Sequence, residues 1–127
     1  MGKPRMTGGT KSHYEVIVIG AGVAGIYQIK RLADLGIDAL VLDAAPDLGG
    51  TWYWNRYPGA RFDSESYTYG YSFSRELLDE WHWKERFSAQ PENLRYLNYV
   101  ADKFDLRKYM QFNCKVGAAT FDEANDL

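Results

Sequence analysis

Residues 14–43 read YEVIVIGAGVAGIYQIKRLADLGIDALVLD, and this stretch determines the fold. A β-branched run at 15–19 ends at a glycine, a pattern typical of a buried parallel strand. A helix is predicted from there to about residue 35, and Gly36 then stands where helices end in a left-handed residue. Residues 38–42 form a second buried strand. The helix has one apolar stripe, made of Val23, Ile26, Ile29, Leu32 and Leu35.

The turn between strand and helix carries a GxGxxG motif. Gly20 permits the tight turn, Gly22 lets the backbone approach a pyrophosphate, and Gly25 lets the helix pack close to the strand. The helix N-terminus adds free N–H donors and the positive end of its dipole. Asp43 ends the second strand, where a ribose hydroxyl needs an acceptor. We predict an α/β fold with a Rossmann-like βαβ dinucleotide-binding unit and a parallel sheet. The alternative is a glycine-rich turn in an unrelated α/β fold.

The glycine motif alone leaves the dinucleotide open between FAD and NAD(P). In both, an acid at the end of the second strand can bind the ribose of the adenosine half. Asp43 argues against NADP at this position, because a 2′-phosphate would meet a carboxylate.

The rest of the chain shows a long irregular segment followed by shorter elements. Residues 44–73 show no clear element, which in a compact domain indicates a functional loop. Ser74 is a candidate cap for one or two short helices at 74–87. Pro91 fits the first turn of a helix to about residue 104. Alternating apolar residues then predict a strand at 109–121. Aromatic residues cluster, with twelve of the twenty between residues 52 and 87.

Composition limits the classes of function. The chain has 127 residues, enough for one domain with a core. Its net charge of -2 provides no basic field for nucleic acid. No apolar run is long enough to cross a membrane, and Cys114 is the only cysteine. We expect a cytoplasmic protein without a metal site, in which 1–12 form a flexible leader and 13–127 the folded part.

Residues 49–63, GGTWYWNRYPGARFD, are more specific than the glycine motif. This run resembles the N-terminal FAD region of type I Baeyer–Villiger monooxygenases, and the resemblance extends over nearly everything from residue 14 onward. It looks closest to the branch with phenylacetone and steroid monooxygenases. The resemblance implies a flavoprotein with two dinucleotide-binding domains. In that family NADPH reduces FAD, O2 forms a C4a-peroxyflavin, and a ketone becomes an ester or lactone.

The resemblance also implies a role for each matching residue. The FAD pyrophosphate and adenosine would be held by Gly20, Gly22, Val23, Ala24, Gly25, Asp43 and, through its backbone, Val116. The flavin would lie beside Gly50, Thr51, Trp52, Tyr53, Asp63 and Tyr69. The nicotinamide side of NADPH would approach Arg61, Phe62 and Asp63.

Asp63 is the one candidate catalytic residue. A peroxyflavin stays deprotonated beside a positive charge, which an arginine supplies in the family, and a neighbouring carboxylate can orient that arginine. The alternative for Asp63 is a turn-capping or ion-paired surface carboxylate, and the alternative for Arg61 is a surface ion pair.

Two positions depart from the family pattern. The family usually has Glu at Asp43 and a small residue at Phe62. The Phe62 ring could reshape the edge of the flavin site or fill a gap elsewhere.

Several parts of the family pattern have no match here. A second GxGxxG for NADPH, the arginine and the linker fingerprint are all missing. We therefore expect a fragment of about the first quarter of an enzyme, inactive by itself, whose site the remaining polypeptide completes. Three alternatives stay open: a flavin monooxygenase that oxidises nitrogen or sulfur, a nucleotide-binding module without catalysis, and half of an NAD-dependent dehydrogenase. Residues 49–63 disfavour the last.

Overall fold

A computed structural model describes residues 11–127 of the chain. The leader predicted for 1–12 lies outside these residues, except for its last two positions. The elements in chain order are β1 (Val16–Ile19), α1 (Val23–Asp34), β2 (Ala39–Leu42), α2 (Thr51–Trp54), α3 (Ser66–Tyr69), α4 (Arg75–Glu80), α5 (Gln90–Lys103), a 3-10 turn (Arg107–Tyr109) and β3 (Met110–Gln111).

The predicted βαβ unit is confirmed. The three strands are parallel in the order β1-β2-β3, and Val16 pairs with Ala39 at the start of the register. The Gly20 N–H donates to the Leu42 carbonyl at 2.8 Å, so the glycine turn begins at the carboxyl edge of the sheet. Ligands of open parallel sheets bind at this edge.

Helix α1 packs on the sheet through part of the predicted stripe. Ile26 and Ile29 are fully buried, and Val23 and Leu32 contact the core from its margin. The prediction for Leu35 is wrong, because this side chain is 65% exposed. The helix ends at Asp34, and Gly36 has φ +70°. Leu35 lies before this turn and still has a right-handed helical backbone, but it is about half a turn around the helix from Ile26, so it faces solvent.

The irregular segment contains more structure than the sequence predicts. Helices α2 and α3, each one turn long, lie within residues 44–73. A single turn is too short to show helical periodicity, and tertiary contacts hold it instead. Three of its aromatic residues, Trp52, Phe62 and Tyr71, are buried in the core.

Helices α4 and α5 follow the sequence closely. The Ser74 hydroxyl accepts the Leu77 N–H at 3.2 Å and caps α4, as predicted. Pro91 lies in the first turn of α5, also as predicted. On the inner face of α5, Leu97 and Val100 are fully buried in the core.

The prediction of a strand at 109–121 is correct only near its start, where β3 covers Met110–Gln111, and is wrong for the residues after it. β3 has two residues, because Asn113 takes a left-handed φ of +53° and interrupts the extended backbone. The chain still follows the end of β2, since the Asn113 and Cys114 N–H groups donate to the carbonyls of Ala45 and Asp43.

Two leucine truncations test this arrangement. Leu97→Ala removes a fully buried side chain and is expected to lower the free energy of unfolding by ~2–5 kcal/mol. Leu35→Ala removes an exposed one and should change it by less than about 0.5 kcal/mol. Urea unfolding compares the two variants, and equal losses would contradict the placement of Leu35 outside the core.

Candidate functional site

The glycine loop has the geometry that its motif predicts. Gly20 has φ +99°, a conformation that L side chains rarely adopt. A Cβ at Gly25 would lie 1.9 Å from the Gly20 carbonyl oxygen. The third glycine is therefore required sterically, because the first turn of α1 rests against the end of β1.

A second glycine pair meets this loop backbone to backbone. Gly50 has φ +54°, and a Cβ there would lie 2.8 Å from the Gly22 Cα. The Gly49 N–H donates to the Ala21 carbonyl at 2.9 Å. The two glycine segments thus meet in one backbone contact, the glycine junction of Gly22 and Gly50, at the carboxyl edge of the sheet.

The N-terminus of α1 opens without a cap. Among residues 11–127, no side chain caps it and no acidic residue lies in its first turn. Helix α4, by contrast, is capped by Ser74. The first N–H groups of α1 therefore remain available to an anion.

Asp43 stands at the carboxyl end of β2, as predicted, and it has a role that the sequence did not indicate. Its buried carboxylate accepts the N–H of Ala21 at 2.6 Å and that of Ala45 at 2.8 Å. One side chain thereby ties the glycine loop to the end of β2. A carboxylate has about four lone-pair sites, so acceptor capacity remains for a ribose hydroxyl.

Three aromatic residues that follow the glycine junction, Trp52, Phe62 and Tyr69, form a packed group. The Trp52 indole N–H donates to the Tyr69 hydroxyl at 3.0 Å. The Phe62 ring stacks on Tyr69 with centroids 3.7 Å apart and meets Trp52 edge-on at 5.1 Å. Phe62 is 4% exposed. Of its two possible roles, the bulky ring therefore fills the core.

Arg61 and Asp63, the residues on either side of Phe62, are exposed at the surface. The Arg61 backbone forms an isolated antiparallel β-bridge with Ala89. Its guanidinium donates to the Glu85 carboxylate at 3.1 Å and to the Phe87 carbonyl at 2.9 Å. Asp63 is exposed, and within the described part of the chain its carboxylate has neither a hydrogen-bond partner nor an ion-pair partner. Arg61 is thus engaged in a surface ion pair and does not pair with Asp63.

Gln90 is a contact residue that the sequence reasoning missed. Its buried side-chain amide donates to the Trp52 carbonyl, and its backbone N–H donates to the Ala60 carbonyl at 2.8 Å. The first turn of α5 therefore joins α2 to the segment that carries Arg61 and Asp63. A glutamine directly before the helix proline was the only available signal.

The remaining predicted residues fall into two sets: some adjoin the glycine junction along the chain, and Val116 lies in a separate segment. Val23 and Ala24 form the first turn of α1, and Thr51 and Tyr53 lie on α2, directly after Gly50. Val116 is half-buried in the segment after β3. Within residues 11–127, no hydrogen bond links Val116 to the glycine loop.

Comparison with known proteins agrees with this geometry. The model of the NAD(P)-binding Rossmann-like domain matches residues 18–81, about half of the chain. This chain belongs to that family. It is 50% identical over 109 residues to the acetone monooxygenase (methyl acetate-forming) of Gordonia sp. strain TY-5. That match covers 86% of this chain and 20% of the relative. Other relatives are named as cyclic-ketone monooxygenases and as a phenazine N-monooxygenase.

Solved structures share the fold closely. An oxidised steroid monooxygenase bound to NADP superposes with a TM-score of 0.86 at 52% identity, over 87% of this chain and 21% of that one. The complex of OTEMO with FAD and NADP gives 0.84 at 49% identity, over 91% and 22%. The resemblance to Baeyer–Villiger and steroid monooxygenases is confirmed. The chain spans about a fifth of the length of these relatives.

Substitution of two glycines separates the site from the fold. Gly22→Ala adds a methyl group 3.4 Å from the Gly50 Cα, an ordinary contact, so the fold should persist while FAD affinity falls about tenfold or more. Gly25→Ala drives a methyl group into the Gly20 carbonyl and should cost on the order of 3–5 kcal/mol of stability. Circular dichroism and FAD titration measure both effects. A folded Gly22→Ala variant with unchanged FAD affinity would place the dinucleotide elsewhere.

Proposed function

We propose that this chain is the FAD-binding segment of a flavin monooxygenase that uses NADPH and O2 to convert ketones to esters or lactones. The observation that carries the proposal is the glycine junction of Gly22 and Gly50, a close backbone contact that lies beside the uncapped N-terminus of α1. Relatives with about half of their matched residues identical carry this activity in their names.

The residues around the glycine junction fit the dinucleotide part of FAD. Gly22 offers a surface without a Cβ, and the N–H groups of Val23, Ala24 and Gly25 would hold the pyrophosphate. Asp43 would accept a ribose hydroxyl while keeping its two backbone hydrogen bonds. Bound FAD, reduced by NADPH, supplies the oxygen-activating chemistry.

Thr51, Trp52, Tyr53 and Tyr69 would form the wall beside the flavin. The hydrogen bond between Trp52 and Tyr69, with Phe62 stacked behind Tyr69, gives this wall a fixed shape. Phe62 would act through these two residues rather than by touching the cofactor, because its ring is buried.

Asp63 would orient a cation that the rest of the polypeptide brings to the site. Its carboxylate is exposed and has no partner within residues 11–127. The adjacent Phe62 holds the backbone in place, since its N–H donates to the Ser88 carbonyl at 2.9 Å. A carboxylate on a fixed backbone that still lacks a partner is available to position an arginine.

The sheet itself supports the involvement of further polypeptide. β1 lies at the edge of the sheet, and its side chains Ile17 and Ile19 are 45% and 64% exposed. Parallel sheets are normally covered on both faces. We propose that residues 13–127 form the N-terminal part of the FAD domain and that other segments cover this face and provide the NADPH site.

No helix among residues 11–127 has the length and apolar character needed to cross a membrane. A cytoplasmic location is part of the proposal, and the single cysteine, which leaves no intrachain disulfide, is consistent with it.

The test uses the full polypeptide that carries this chain. The purified protein is expected to show flavin absorbance and to consume NADPH when cyclic or linear ketones are present. Mass spectrometry should find one oxygen atom added to the ketone. A colourless protein that fails to bind added FAD would contradict the flavin assignment. Oxidation of amines without oxidation of ketones would favour the nitrogen-oxidising alternative.

A carboxylate variant tests Asp63. Asp63→Asn keeps the shape but loses the charge, so kcat should fall on the order of tenfold while FAD affinity is unchanged. Asp79→Asn is the matched control, since Asp79 is an exposed partner of Arg75 on α4. Equal kcat values for the two variants would remove Asp63 from the site.

A further inference from the structure

Tyr71 lies between the irregular segment and α1, and neither the motif nor the family pattern gave it a role. Its ring is buried and lies between two other tyrosines. The ring centroids are 6.3 Å from Tyr27, on α1, and 5.9 Å from Tyr96, on α5. The residue therefore packs against both helices at once.

Two hydrogen bonds fix Tyr71 to those helices. Its hydroxyl donates to the carbonyl of Val23, the first residue of α1, at 2.5 Å. Its backbone N–H donates to the Tyr96 hydroxyl at 2.8 Å. A continuous path of hydrogen bonds and covalent structure thus runs from the middle of α5 to the first turn of α1.

The Tyr71 hydroxyl retains the proton that it donates. Burial raises the pKa of Tyr71 well above its usual value, so the phenol keeps its proton throughout the physiological range. The bond is partly buried, and a hydrogen bond there is worth more than one at the surface.

The hydrogen bond from Tyr71 to Val23 matters because it reaches the first turn of α1. The N–H groups of Val23, Ala24 and Gly25 belong to the same helical turn as the Val23 carbonyl. Since no side chain among residues 11–127 caps α1, this turn lacks the usual means of holding its first residues. Tyr71 holds the same turn through its carbonyl and leaves the N–H groups free.

We propose that Tyr71 is a positioning residue for the dinucleotide site: its hydroxyl holds the first turn of α1 so that the N–H groups meet the pyrophosphate of FAD. The inference rests on the proposed function, because it assumes that FAD binds at this turn. It predicts an effect on FAD affinity rather than on the chemistry at the flavin ring.

Two tyrosine variants test the inference in the full polypeptide. Tyr71→Phe removes only the hydroxyl. Tyr27→Phe is the matched control, because Tyr27 stacks on the same ring, lies on the same helix and has a hydroxyl with no hydrogen bond among residues 11–127. Loss of one buried hydrogen bond should weaken FAD binding about fivefold in Tyr71→Phe. The control should stay within about twofold of the parent protein.

Two further readouts separate positioning from general stability. At saturating FAD, Tyr71→Phe should keep the parent flavin spectrum and kcat, since α1 touches the pyrophosphate and not the ring. A merely stabilising hydroxyl would lower the melting temperature of the apoprotein and leave the dissociation constant of the folded protein unchanged. That result, or equal FAD affinities for the two variants, would overturn the inference.

Tyr96→Phe covers the case in which Tyr71→Phe does not fold. It leaves the Tyr71 N–H without its acceptor and should weaken FAD binding in the same direction. Parent-like FAD affinity in folded Tyr96→Phe would then overturn the inference. Failure of the parent protein to bind FAD would instead refute the proposed function.

Discussion

The close approach of Gly22 and Gly50 is the constraint on which the site depends. Gly50 cannot carry a side chain if the two backbones are to meet, because its Cβ would lie 2.8 Å from the Gly22 Cα, and the Gly49 N–H bond to the Ala21 carbonyl fixes their register. The contact lies at the carboxyl edge of the sheet and joins the βαβ unit to the aromatic segment.

Polar side chains from distant segments then hold this surface in place. Asp43 ties the end of β2 to the glycine loop, Tyr71 ties α5 to the first turn of α1, and Gln90 ties α5 to α2. All three are buried, where an unmade hydrogen bond is costly and a made one is directional. Packing alone would leave the turn of α1 and the single turn of α2 free to shift, because neither is long enough or capped well enough to hold itself.

The aromatic group explains the unusual composition. Trp52, Phe62 and Tyr69 pack edge-on and stacked, and Trp83 meets Phe62 edge-on at 5.6 Å. Such contacts replace the regular helix or strand that the segment lacks. The bulky Phe62 is accommodated because its ring packs into this group. Asp63, the next residue, is left at the surface.

The sequence by itself determined the βαβ unit, the roles of Gly20 and Gly25, the Ser74 cap and the start of α5, since each follows from local sterics or from periodicity over one element. The family resemblance likewise depended on one continuous run of sequence, residues 49–63. Only the tertiary structure decided that Leu35 is exposed, that β3 ends at Gln111, that Arg61 pairs with Glu85, and that Asp43 and Tyr71 hold the glycine loop and α1. The contacts of Arg61, Asp43 and Tyr71 join residues 22 to 48 positions apart, which no local pattern specifies.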